Sequence, residues 1–396
     1  MKDNKKLNQF DILVIYYWIL MMFSHMWVGL PKLPTFIYWL IVGPILLFNF
    51  INIKYILKQN ENIQYTKFLY YFMFFAIFIS LLRFDFSTIY NMILLSTTIL
   101  IIFERKYYLK INIINIMFII TILYGVLAYH IGFNNYGYLP NHGEGIYQAR
   151  VSLFPLSVVG SAMIAIIVLV KNYFSFQKIS NKLFVLVAGY LIFFGGSRTI
   201  LACLLILIIF VISKQIFKIQ NRTLYRFYAI LIVLVSVSGI FLFDEIVNIY
   251  EKVSFSNSQI DNYLYRDTMI GTELSGSARS FIMNQQYDLF LSAPLTGVGT
   301  YKLINDYNLS GTEAFLSGLF ARLGLISILF FAFFVKLFSR SIIIKDYQRS
   351  IVILMFFIIM LSYGVVMVPY DLIFLLFIGL ISEGNDSKYL KQEYSK

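Results

Sequence analysis

This chain is poorest in cysteine, histidine and charge, and each shortage closes off a class of function. Cys203 is the sole cysteine of 396 residues and lies within an apolar run, so neither a disulfide framework nor a cysteine metal site can form. The three histidines, His25, His130 and His142, are scattered, and Asp244, Glu245, Asp261, Asp267 and Glu273 lack calcium-loop spacing. No metal and no cofactor is therefore expected. Charged residues make up 13% of the chain against 59% hydrophobic, and the mean hydropathy is +0.76. A soluble domain cannot hide that much apolar surface in one core, so lipid is the expected solvent. No internal repeat is present, and the first apolar run lacks a small-residue cleavage site, which reads as a retained signal anchor.

What the chain does have is a succession of apolar runs near the length a bilayer demands. Only helices or closed barrels satisfy backbone groups in lipid, and the expected fold class is all-α, a polytopic transmembrane helical bundle forming a single integral membrane domain over 1–396. About twelve spans are expected, at 10–30, 34–53, 67–82, 86–103, 111–131, 151–170, 183–196, 199–213, 227–243, 314–335, 350–368 and 369–383.

The basic residues set the expected orientation. With the N-terminus inside, alternate loops collect 23 of the 32 Lys and Arg, leaving Lys32, Arg83, Arg150, Arg198, Lys252, Arg266, Arg279, Lys302 and Arg322 for the outer side and the spans. Both termini are then cytoplasmic, with a polar tail over 383–396, and the expected location is a bacterial cytoplasmic membrane. The net charge of +12 sits mostly in short inner turns, where anionic membrane lipids account for it better than nucleic acid does.

Two outer loops break the pattern of short connections: 130–150, rich in Gly, Asn, aromatics and charge, and the far longer 244–313. In the second, Ser275-Gly276-Ser277 can cap a helix starting near Ala278, whose apolar surface suits lying on the membrane and which Pro294 stops. The run Leu295-Thr296-Gly297-Val298-Gly299-Thr300 then has glycines for a tight turn whose amides can face an anionic ligand. The abundant Tyr and Phe read mainly as lipid-facing and interfacial bulk, with Tyr263, Tyr265 and Tyr301 placed to stack on sugar faces.

Three ordered segments, Gly195-Gly196-Ser197-Arg198-Thr199, Ala278-Arg279 leading to Pro294–Thr300, and Glu313-Ala314 through Leu323-Gly324-Leu325-Ile326, resemble the core of the O-antigen ligase and Wzy-type polysaccharide polymerase superfamily over roughly 150–330. The resemblance implies a glycosyltransferase of the membrane-embedded, GT-C-like class. Its donor and acceptor would be undecaprenyl-diphosphate-linked glycans, joined outside the cytoplasmic membrane, with a chain-length regulator as a further partner. It also implies that Arg198 and Arg279 handle the diphosphate. In the ligase branch the third segment opens with a catalytic His followed by Asn. Glu313 and Ala314 stand there instead, which favours the polymerase branch. A ligase and a flippase for the same lipid-linked glycans are the alternatives.

Guanidinium groups suit a leaving diphosphate because they stay charged and donate parallel hydrogen bonds to phosphate oxygens. Arg150, Arg198, Arg279 and Arg322 all fall at or near outer helix ends and form the expected diphosphate-binding set. The competing reading for Arg198 and Arg150 is an interfacial arginine snorkelling to headgroups, and for Arg279 a solvated surface charge. Arg322 lies inside a span, so its burial demands a partner. Glu313 is the candidate base, against the reading of a helix-start acid complementing the macrodipole, with His142 and Glu144 as a second acid–base pair. Gly297, Gly299 and Tyr301 complete the expected substrate-binding loop.

Overall fold

A computed structural model describes residues 7–23, 35–57, 66–107, 109–130, 158–174, 179–195, 198–217, 277–307, 315–344, 346–362 and 371–383. Within them the chain is helical: α1 (Gln9–Met22), α2 (Thr35–Leu57), α3 (Thr66–Leu82), α4 (Phe86–Glu104), α5 (Ile111–His130), α6 (Val158–Phe174), α7 (Ile179–Gly195), α8 (Arg198–Phe217), α9 (Ser277–Ser292), α10 (Thr300–Asn305), α11 (Phe315–Leu323), a 3₁₀ turn (Gly324–Ile326), α12 (Ser327–Ile343), α13 (Tyr347–Ser362) and α14 (Leu372–Ser382). Three stretches, Thr35–Ile56, Phe86–Glu104 and Ser317–Ile343, are long and apolar enough to cross a membrane, and eight shorter helical segments are also apolar. The expected span 227–243, the loop 131–150 and residues 244–276 lie outside the described residues.

Several expected spans coincide with helices almost residue for residue, because Pro, Gly and charge punctuate them as they punctuate lipid-crossing helices. The expected span 314–335 falls on the one apolar stretch Ser317–Ile343, which is interrupted between α11 and α12 by the 3₁₀ turn at Gly324, whose φ of +61° cannot continue an α-helix. Pro44 sits inside α2, where its missing N–H is tolerated as in other apolar helices.

Part of the phenylalanine set closes the bundle by aromatic packing. Phe72 of α3 lies 5.3 Å from Phe330 of α12, Phe330 5.2 Å from Phe334, Phe334 5.4 Å from Phe356 of α13, and Phe356 5.5 Å from Phe377 of α14. All five rings are buried. Edge-to-face and tilted rings gain quadrupole attraction beyond dispersion, which counts where lipid tails offer no hydrophobic drive between helices. Other phenylalanines, such as Phe50, Phe74 and Phe78, are exposed on outward faces.

Buried polar pairs fix helix register within the apolar bundle. Asn115 and Asn172 exchange side-chain amide hydrogen bonds at 3.0 and 2.7 Å, Trp18 donates to Thr121 at 2.6 Å, and Asn49 donates to Thr98 at 3.0 Å. Each is worth on the order of 1 kcal/mol in a membrane bundle.

Polar contacts also sort the helix ends into two groups. At one end Lys110 pairs with Asp11 at 3.0 Å, Lys171 with Glu383, Arg349 with the carbonyls of Ile381 and Ser382, and the Ser382 hydroxyl with the Tyr107 carbonyl. At the other end the turn between α3 and α4 meets the segment 293–301 and the α11–α12 junction. The alternation read from the basic residues assigns these same two groups to opposite sides.

Candidate functional site

The second end is built from a turn of three residues. Ser80–Asp85 closes α3 with the Phe84 amide donating to the Leu81 carbonyl and the Asp85 amide to the Ser80 carbonyl, a left-handed helix stop with Phe84 at φ +56°. That turn points Arg83 to one side and buries Asp85. Asp85 then caps two helices at once. Its Oδ1 accepts from the Thr88 amide of α4 at 3.1 Å, while Oδ2 accepts from the Thr300 amide of α10 at 2.6 Å and the Tyr301 amide at 3.4 Å. The hydroxyls of Thr88 and Thr300 lie 2.6 Å apart, and Thr88 Oγ1 also donates to Asp85 Oδ2 at 2.6 Å. A carboxylate facing two helix N-termini is stabilised by both sets of unpaired amides and both macrodipoles.

The glycine run is locked onto the α11–α12 junction. The Gly297 amide donates to Ala293, Val298 to Ala321 at 2.7 Å and Gly299 to Arg322 at 3.1 Å, while Leu325 returns a bond to Pro294 at 2.8 Å. Gly297 (φ +70°) and Gly324 (φ +61°) sit so close to the backbones of Arg322 and Pro294 that a Cβ on either would overlap them. On Gly299 (φ +86°) a Cβ would stand 2.5 Å from Asp85 Oδ2. Two of the three segments singled out in the sequence, Pro294–Thr300 and Leu323–Ile326, thus form one interlocked unit. The amides expected to face a ligand are engaged by the protein itself: those of Gly297, Val298, Gly299 and Thr300 all have protein acceptors.

Helix α9 begins at Ser277 and is followed by Pro294, as the capping and stop signals predict. Rather than lying apart on a membrane surface, it docks against α11: Leu289 packs with Leu303 and Ala321, and Ser317 donates to the buried Gln286 at 2.5 Å. Tyr287 and Leu291 remain exposed on its other side. The last part of the long loop is therefore part of the bundle's end.

Arg198 is the first residue of α8 and Arg279 lies in the first turn of α9; their side chains are outside the described set. Glu313, Glu144, His142 and Arg150 also lie outside the described residues. Tyr301 is 66% exposed beside the Asp85 knot. Arg322 lies at the junction, but the partner its burial demands is not an ion pair: Nε is buried without a hydrogen-bond partner among the described residues. Its carbonyl accepts from Gly299 and, at 3.4 Å, from Arg83 Nη1. Burial lowers the Arg83 pKa, and the nearby Asp85 charge opposes that shift. Arg83, Asp85 and Thr88 escaped the sequence reading because they form a short turn between two spans. An Asp three residues before a Thr at a helix start was their one visible signal.

The segment from α7 to the start of α11 carries the first two motif segments and opens the third. Residues 183–317 match the family model described as O-antigen ligase. This stretch is similar to the O-antigen ligase family. The match bears out the resemblance to the O-antigen polymerase and ligase superfamily, whose members are membrane glycosyltransferase-like enzymes acting on lipid-linked glycans. The O-antigen ligase family match covers Arg198, Arg279, Gly297, Gly299, Tyr301 and Glu313. Comparison with curated proteins and with solved structures gave no match.

Proposed function

We propose that the chain is a polysaccharide polymerase that joins undecaprenyl-diphosphate-linked repeat units on the outer side of the cytoplasmic membrane. The observation that carries this reading is the O-antigen ligase family match over the segment holding Arg198 and Arg279, combined with Glu313 standing where the ligase branch has its histidine. In the proposed reaction an acceptor hydroxyl oxygen attacks the anomeric carbon of the donor glycan. The bond from that carbon to the diphosphate oxygen breaks, and the diphosphate leaves with the electron pair. Arg198 and Arg279, with Arg150 and Arg322, neutralise the charge that builds on the leaving group. Glu313 receives the hydroxyl proton, and His142 and Glu144 act on the acceptor side. Tyr301, exposed beside the glycine run, offers a ring face to a sugar.

The family's description favours a second reading with equal directness, a ligase that passes the finished glycan to another acceptor. Analysis of surface glycan from cells lacking the protein separates the two. Loss of a polymerase leaves single repeats on the final acceptor, whereas loss of a ligase leaves long polymer on the lipid carrier.

A further inference from the structure

Two arginines from distant parts of the chain meet at the α11–α12 junction, and neither has an ion-pair partner among the described residues. Arg83 lies in the α3–α4 turn and Arg322 in α11, 239 residues later, and Arg83 Nη1 rests on the Arg322 carbonyl at 3.4 Å. Neither guanidinium forms an ion pair among the described residues. Asp85 is the acid whose charge bears on both. Its oxygens, however, already accept from the Thr88, Thr300 and Tyr301 amides and the Thr88 hydroxyl. Among the described residues, one carboxylate so engaged set against two guanidinium groups leaves a positive balance at the junction. Arg322 Nε is buried with no partner among the described residues, and a buried donor of a charged group left unmet is costly unless a ligand completes it. Arg83 is half-buried.

We propose that Arg83 and Arg322 form a two-guanidinium seat for a phosphate-type anion at the mouth between the α3–α4 turn and the glycine run. Paired guanidinium forks match phosphate oxygens better than point charges do. Within the polymerase reading, on which this assignment rests, the anion is the diphosphate of a lipid-linked glycan, and Arg83 is a substrate-binding residue outside the matched segment 183–317. An anionic lipid headgroup carries the same chemistry and is the second source.

The test uses the full-length protein in phosphatidylcholine nanodiscs, titrated with inorganic diphosphate and followed by calorimetry, with thermal unfolding as the folding check. Arg83→Gln is expected to weaken diphosphate binding about tenfold or more, the usual cost of losing a charge-assisted hydrogen bond. Arg83→Lys is expected to recover only part, because it keeps the charge and loses the fork. If diphosphate does not bind but phosphatidylglycerol retained through purification falls in Arg83→Gln, the seat stands with a headgroup as its anion. If Arg83→Gln changes neither diphosphate binding nor phosphatidylglycerol retention while unfolding stays normal, the seat is overturned. Binding is read without polymer formation, so the seat and the polymerase reading can fail separately.

Discussion

The Asp85 carboxylate holds the Thr300 amide at 2.6 Å across 215 residues of sequence, tying the start of α4 to the start of α10. That tie helps seat the glycine run against α11, and the same turn sets Arg83 on the Arg322 carbonyl. Asp85→Ala removes the side-chain cap of both helices and leaves the Thr300 amide buried without its acceptor. A loss of about 2–4 kcal/mol is expected, read as an earlier thermal unfolding in detergent. Asp85→Asn keeps one oxygen acceptor of the same shape and is expected to lose less than half as much.

The glycines divide sharply in what they tolerate. Gly297 and Gly324 adopt positive φ and touch the backbone of the opposing segment, which cannot move as a side-chain tip can. Alanine at either is expected to cost about 3 kcal/mol or more, the sum of backbone strain and overlap. Gly189, in α7, meets only Leu169 Cδ1 at 4.0 Å. There alanine is expected to be neutral or stabilising by about 0.5–1 kcal/mol. Parallel unfolding curves for the three variants check the contrast.

At the opposite end Arg349 is buried, its Nε donating to the Ile381 carbonyl at 2.7 Å and its Nη2 to the Ser382 carbonyl at 3.3 Å. These are the last carbonyls of α14, which have no helical partner, and a cation there also complements the macrodipole. Arg349→Ala is expected to cost about 2–3 kcal/mol and to loosen α14, measured as faster proteolysis after residue 383 with the helices at the Asp85 end unaffected. Arg349→Lys keeps the charge but reaches one carbonyl at most, and is expected to fall between the two.

Much of the fold was legible in the sequence, and the exceptions have physical causes. The apolar runs at 67–82 and 86–103 became α3 and α4 within a residue because charge and turn residues bound them on both sides. Helix α9 was readable from Ser277 and Pro294, and the glycine run from its spacing. The break at Gly324 was not, since hydropathy averages over the window and carries no sign of φ. Nor was the Asp85–Thr300 contact, because nothing local in a single sequence marks which distant helix start a buried carboxylate caps. Which phenylalanines pack between helices was not legible either, because one facing lipid and one facing a neighbouring helix look alike until the helices are oriented.

Arg198 is the first residue of α8 and Arg279 lies in the first turn of α9, both within the segment that matches the O-antigen ligase model. Alanine at either is expected to abolish polymer in cells while insertion and protein level stay normal, and lysine is expected to fail as well, because the fork rather than the charge is required. Glu313→Gln is expected to slow polymer formation less, since a diphosphate is a good leaving group and needs little help from a base. Glycan ladders from cells expressing each variant provide the readout.

The most direct measurement is an assay of purified protein in nanodiscs with one undecaprenyl-diphosphate-linked repeat unit as the sole glycan. A ladder of lengthening lipid-linked products from the native protein, absent with Arg198→Ala, is the result this account predicts. A native protein that leaves the repeat unit unextended but moves preassembled polymer to an added acceptor would contradict it.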